Sequence, residues 1–171
     1  IADVAHYVKP GDPVDKEAHL RGTSVYFPRY AVHMLPKKLS NNLCSLRPKV
    51  NRLTITCEMQ INSEGKMESY SIYESIIKSY ARLTYEDVAD LLDGRESSIY
   101  DTKIQLNLKK MHCLAKILEK KRSQRGAVQF SFTDEIFKFD RNERFVGIKR
   151  SYQSSSMKLI EQFMLEANET V

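Results

Sequence analysis

Tryptophan is absent from the 171 residues, and only six glycines, five prolines and three cysteines are present. So few glycines and prolines exclude a collagen-like or proline-rich repeat, and they argue against global disorder. Cys44, Cys57 and Cys113 are an odd number at wide spacing. Neither a CxxC pair nor a Cys/His metal spacing occurs, so nothing points to a disulfide framework or a zinc module. No apolar run approaches the ~20 residues of a membrane-spanning helix. The opening Ile1-Ala2-Asp3-Val4 has no basic stretch and no cleavage site, so it does not read as a signal peptide. The thiols are therefore expected to be reduced, and the protein to be cytoplasmic. Initiator Met and stop signal are also missing, and both ends read as cuts through structure. The expectation is one domain, truncated at both ends.

What is present is an ordinary globular composition, 42% hydrophobic and 29% charged, in a chain long enough for a sizeable core. The net charge of +5 favours an acidic partner such as nucleic acid.

Period and punctuation give the elements. Residues 1–8 read as the end of a strand, and Pro10-Gly11-Asp12-Pro13 as a turn. Asp12 is placed to cap a short helix with Pro13 in its first position and Gly22 as its stop. Thr23 to Pro28 is β-rich. Arg29 to Pro48 reads as a long loop with one helical turn. From Leu53 to Ile61, apolar Leu53, Ile55, Cys57, Met59 and Ile61 alternate with polar residues, the period of a strand with one buried face. Asn62 to Lys66 is a hairpin turn, and Met67 to Ile77 returns antiparallel.

Thr84 with Asp87 makes a capping box for a helix over Tyr85 to Leu92, ended by Gly94. Residues 95–102 read as a surface loop. The longest helix is predicted over about 102–124, with Ile104, Leu108, Met111, Ala115 and Leu118 on one stripe. Residues 127–132 and 136–149 read as strands, the second folded at Asp140-Arg141-Asn142-Glu143. Ser154 to Ser156 can cap a last helix whose apolar face is Leu159, Ile160, Phe163, Met164 and Ala167. The predicted class is α+β, an antiparallel or mixed sheet with packed helices.

Several stretches, in order, resemble the RNB catalytic domain of the ribonuclease II and ribonuclease R exoribonucleases. They are Ile1-Ala2-Asp3-Val4 with Tyr7-Val8-Lys9-Pro10-Gly11, then Asp15-x-Glu17-Ala18 with Arg21-Gly22-Thr23-Ser24-Val25-Tyr26-Phe27-Pro28. Met34-Leu35-Pro36 follows, with Leu39-Ser40 and Leu43-Cys44-Ser45-Leu46-x-Pro48. Ala81-Arg82-Leu83-Thr84-Tyr85 also fits, and Leu159-Ile160-Glu161-x-Phe163-Met164-x-x-Ala167-Asn168 closes the series. The match covers almost the whole chain and is closer to ribonuclease R, through Arg21 to Tyr26.

The resemblance implies a hydrolytic 3′→5′ exoribonuclease that degrades single-stranded RNA to 5′ mononucleotides with Mg2+, flanked by OB-fold RNA-binding modules. The family's D-x(5)-D-x-D-D aspartate cluster is expected upstream of Ile1 and its catalytic arginine downstream of Val171. No catalytic residue and no metal ligand is therefore assigned within 1–171, and this span alone is expected to be inactive. Asp3 is a candidate to support the metal ligands from behind, although capping a turn is its ordinary use. Tyr26 and Phe130 match the two aromatics that clamp terminal nucleotides, for which interior packing is the competing reading.

Tyr85 and Glu161 match positions that contact the ribose; hydroxyl and carboxylate can each address a 2′-OH. Glu161 is expected at the edge of the buried stripe of its helix, with Glu166 the more ordinary carboxylate. Gln162 departs from the family, which often has a second Glu there. Arg21 could pair with phosphate or simply serve as a cation at a helix C-terminus. The basic run Lys116 to Arg125 reads first as a solvated face. A catalytically silent RNA-binding protein on the same domain remains the alternative, decided by the residues that precede Ile1. An unrelated interaction domain is a third.

Overall fold

The computed structural model describes residues 1–28, 30–128, 134–140 and 144–171. The fold is α+β, and the chain packs as two compact units. One comprises Ile1–Glu58 with Ser71–Arg82, the other Met59–Tyr70 with Leu83–Val171.

In the first unit, helix α1 runs Pro13–Arg21 and ends at Gly22, whose φ of 69° suits a residue without Cβ. Asp12 sits at the N-cap but does not cap with its side chain. Its carboxylate accepts the Lys9 N–H instead, at 3.1 Å, which closes the preceding turn. Strands β1 (Val25–Tyr26) and β2 (Ala31–Val32) pair antiparallel, Val25 with Val32 and Tyr26 with Ala31. The expected loop over 29–48 thus holds a strand, and a π-helical turn spans Leu39–Leu43. Too few residues separate its prolines for periodicity to show either.

Strand β3 (Asn51–Ile61) and strand β4 (Met67–Lys78) form a hairpin. On the other side of β3, Ala2 bridges Thr54, after which the chain turns at Val4–Val8 rather than continuing as strand. Thr54 lies on the face expected to be solvated, yet it is buried. Its hydroxyl sits 2.7 Å from Ser75 Oγ, which also meets Thr56 Oγ1 at 2.6 Å. Buried hydroxyls are tolerated when paired in this way. Cys57, expected in the core, is only half-buried.

The second unit carries most of the apolar interior. Helices α2 (Tyr85–Leu92), α3 (Thr102–Gln124) and α4 (Ser155–Thr170) pack on one another. All three begin at side-chain caps. Thr84 accepts the Asp87 N–H, Asp101 accepts those of Lys103 and Ile104, and Ser154 accepts that of Met157. Val88, Ile99 and Leu108 form one cluster, with Ile104 and Met111 against it, so the predicted α3 stripe faces inward. Ile99 shows that the 95–102 loop is not wholly superficial. Leu118 of α3 and Leu159 of α4 are the most deeply buried apolar side chains. Gly65, at φ 79° in the hairpin turn, lets Lys121 Nζ reach its carbonyl at 2.8 Å.

The face of α4 departs from expectation. Leu159 is buried and Phe163 half-buried, but Ile160 and Met164 are exposed, while Ser156, Gln162 and Glu166 are buried. Helix α3 explains this exchange. Arg122 Nη1 donates to Gln162 Oε1 at 3.4 Å, and Lys121 Nζ lies 3.4 Å from Glu166 Oε1. Polar partners across the interface turn the helix away from its most apolar side. Strands β5 (Asp134–Phe139) and β6 (Phe145–Ser151) make an antiparallel hairpin, with Phe137 opposite Ile148. Most of the strand expected over 127–132 lies outside the described residues. Among the described residues the strands pair as three two-stranded ribbons, within the predicted α+β class.

Candidate nucleic-acid interface

Two of the residues singled out from sequence belong to the first unit. Tyr26 is 76% exposed, which removes interior packing as its role within this unit. Its strand leads into a turn where the Phe27 and Tyr30 rings stack 4.6 Å apart at 17°. Both rings are exposed, so Tyr26 is one of three accessible aromatics at one hairpin. Phe27 and Tyr30 drew no attention as site residues in the sequence, because no period or spacing marks a three-aromatic turn.

Arg21 is already engaged on two sides. Its Nε donates to Glu17 Oε1 at 2.8 Å, and its Nη1 donates to the His33 carbonyl at 2.9 Å. This arrangement ties the end of α1 to the chain just after β2. It also borders a cleft of about 440 Å³ between α1 and the segment Ala31–Lys37.

The second unit holds Tyr85 and Glu161. Tyr85 opens α2 and is 47% exposed, while its carbonyl accepts the Ser156 hydroxyl at 2.7 Å. Glu161, one and a half turns further along α4 than Ser156, is exposed. Its Oε2 accepts a short hydrogen bond from Gln153 Nε2. The two residues therefore stand on helices that are pinned together at their starts. The expected contrast between Glu161 and Glu166 is reversed. Glu166 is the carboxylate in the helix interface, 5% exposed, and Glu161 is the solvated one. Phe130 lies outside the described residues.

Asp3 is buried, with Oδ1 accepting the His6 N–H at 3.0 Å, which is the turn-capping arrangement. Among the described residues, no three His, Cys, Asp or Glu side chains group in a way that could hold a metal ion. The donor set that a hard cation such as Mg2+ requires is thus not assembled among the described residues. Nearby, burial and then the charge of Asp3 push the Cys44 thiol up, against the opposing pull of Arg52, so it is a poor nucleophile.

The RNB domain model matches residues 1–171. The chain belongs to the RNB domain family. It is 42% identical over 170 residues to ribonuclease R of Escherichia coli strain K12, covering 98% of this chain and 21% of that protein. It is 44% identical over 172 residues to ribonuclease R 1 of Lactococcus lactis, covering 100% and 21%. Among solved structures, Mycoplasma genitalium RNase R in complex with ribose methylated single-stranded RNA superposes with a TM-score of 0.92. The identity there is 32%, over 99% of this chain and 27% of that one. This RNB chain therefore spans about a fifth of the length of the curated relatives it matches. Its α+β fold is that of the RNB domain, as the ordered motifs implied.

Proposed function

We propose that these residues are the central part of the catalytic domain of a hydrolytic 3′→5′ exoribonuclease acting on single-stranded RNA. The observation that carries this reading is the 0.92 TM-score and 32% identity to an RNase R that holds single-stranded RNA. Ribonuclease R relatives at 42–44% identity support it.

In this reading the chain binds and orients the strand. The Tyr26 ring, open to solvent, stacks on a base near the 3′ end, and the resemblance gives Phe130 the role of the second stacking aromatic. The Tyr85 hydroxyl and the Glu161 carboxylate address 2′-OH groups, which are donor and acceptor at once, and so favour RNA over DNA. Arg21 contributes positive charge toward phosphate with the part of its guanidinium not held by Glu17 and His33. Magnesium and its aspartates come from outside residues 1–171, as do the flanking OB-fold modules. The products are 5′ mononucleotides, and the protein works in the cytoplasm.

The test is a time course of digestion of an oligoribonucleotide with an accessible 3′ end, by the intact protein, with and without magnesium. Single-nucleotide shortening from the 3′ end, with release of 5′ mononucleotides only when magnesium is present, is the expected result. Tight RNA binding with no shortening would instead support a catalytically silent RNA-binding protein on the same fold.

A further inference from the structure

Helix α3, the start of α4 and Gln153, which donates to Glu161, line a cleft of about 270 Å³. Its walls carry His112, Lys116 and Glu119 from α3, and Ser155, Lys158 and Gln162 from α4. Lys116 and Lys158 against Glu119 make the lining itself net positive, with the Glu161 carboxylate held at its edge by Gln153. Both lysine side chains are exposed, so their charges are free to move toward an occupant.

One polar group in this cleft lacks the bonding that burial demands. Ser155 Oγ is buried and makes no hydrogen bond among the described residues. Leaving such a hydroxyl unpaired is costly, so its occurrence calls for a partner. Gln162 is 4% exposed, and its Oε1 faces Arg122 Nη1. With Oε1 accepting from Arg122, the NH2 is the end of the amide that can donate to an occupant. Behind it, Arg122 Nε is also buried without a partner. The unpartnered Ser155 hydroxyl can donate, and two lysines stand beside it. The cleft also lies at the start of α4, a helix of 16 residues whose N-terminal dipole adds to the same field.

Size narrows the occupant. About 270 Å³ falls below the ~300–1,000 Å³ of pockets that bury drug-sized ligands, so a small group is favoured. We propose that this cleft is a phosphate-binding subsite, in which Lys116 and Lys158 neutralise a phosphoryl group that accepts hydrogen bonds from Ser155 Oγ and the Gln162 amide. The phosphoryl group is either free phosphate or a phosphodiester of an RNA backbone. The site does not depend on the nuclease reading.

The experiment uses the intact protein with two probes. Inorganic phosphate is titrated and followed by calorimetry. Binding of a fluorescent oligoribonucleotide is measured as a function of salt. The variants are Ser155→Ala, Gln162→Glu and the double variant Lys116→Ala with Lys158→Ala. Phosphate affinity is expected to fall about fivefold in Ser155→Ala and about tenfold or more in the other two. If the natural ligand is RNA backbone, the salt slope of oligoribonucleotide binding also falls by about one in the double lysine variant. In that case Ser155→Ala weakens oligoribonucleotide binding as well.

Loss of phosphate binding in the variants with unchanged RNA binding assigns the cleft to free phosphate. No phosphate binding to the unaltered protein, together with RNA binding insensitive to Ser155→Ala, overturns the proposal. An effect of the lysines alone is then only surface charge. Normal RNA cleavage in that protein would show that the cleft failed and the nuclease reading did not.

Discussion

The Ser156 hydroxyl donates to the Tyr85 carbonyl at 2.7 Å, across 71 residues of sequence, and joins the first turns of α2 and α4. Ser156 is 2% exposed and also meets Ser154 Oγ at 2.8 Å, so the bond is shielded from water. Ser156→Ala is expected to lower stability by about 1–2 kcal/mol, since it removes a buried donor. Urea unfolding of the intact protein measures this, and a variant as stable as the parent would show that the bond contributes nothing.

If Tyr85 and Glu161 read the ribose, removing either weakens RNA binding and leaves DNA binding untouched. For Tyr85→Phe and Glu161→Gln, the ratio of RNA to DNA affinity is expected to fall by about fivefold each, one hydrogen bond's worth. Paired anisotropy titrations with RNA and DNA of the same sequence give the ratio directly. An unchanged ratio in both variants counts against the ribose assignment.

Tyr26→Ala removes an exposed ring, so the fold should tolerate it. Loss of one stacked base is worth about 1–3 kcal/mol of single-strand affinity. The expected outcome is weaker oligoribonucleotide binding and a longer end product in digestion. The neighbouring Phe27 and Tyr30 stack on each other, and Tyr30→Ala serves as the comparison. Equal affinity and identical products for Tyr26→Ala would remove Tyr26 from the clamp.

Gly65 combines a φ of 79° with a close neighbour, for a Cβ there would lie 2.9 Å from Ile117 Cγ2. Gly65→Ala is therefore expected to destabilise by roughly 1–3 kcal/mol, through backbone strain and displacement of the Ile117 side chain. The carbonyl of Gly65 also holds Lys121 Nζ, beside the buried Glu166. Thermal unfolding should show the loss, whereas Gly94→Ala, with open space around it, meets only the conformational cost.

Hydrogen bonds from Ser98 and from Thr84 hold the Asp87 carboxyl below its ordinary range, against a smaller opposing effect of burial. A carboxylate depressed in the folded state stabilises above its unfolded value of about 3.9 and loses that contribution as pH falls through the lower folded value. Stability of the parent is thus expected to drop more steeply below about pH 4 than that of Asp87→Asn. Urea midpoints across that acid range measure the difference, and parallel curves would deny Asp87 the role.

Helix boundaries were legible because their causes are local. Thr84, Asp101 and Ser154 cap α2, α3 and α4 with their own side chains, and such caps act within one turn of sequence. The α3 stripe was legible too, since its apolar period leaves a single side to bury. The turn to α4 was not. Its sequence offers Ile160 and Met164, but Arg122 and Lys121 on α3 draw Gln162 and Glu166 inward. Likewise Thr54 reads as a solvated strand residue until Ser75 is seen opposite it.

The sequence by itself determined the family, the order and ends of the helices, and the hairpin at Asn62–Lys66, because motifs, caps and turns are written in neighbouring residues. Tertiary structure decided which face of α4 is buried, that Glu161 rather than Glu166 meets solvent, and that Ser155 and Gln162 share a cleft with two lysines. The face of α4 depends on partners 40 or more residues away, and the free energy of a buried polar group is set by whichever partner the fold brings to it.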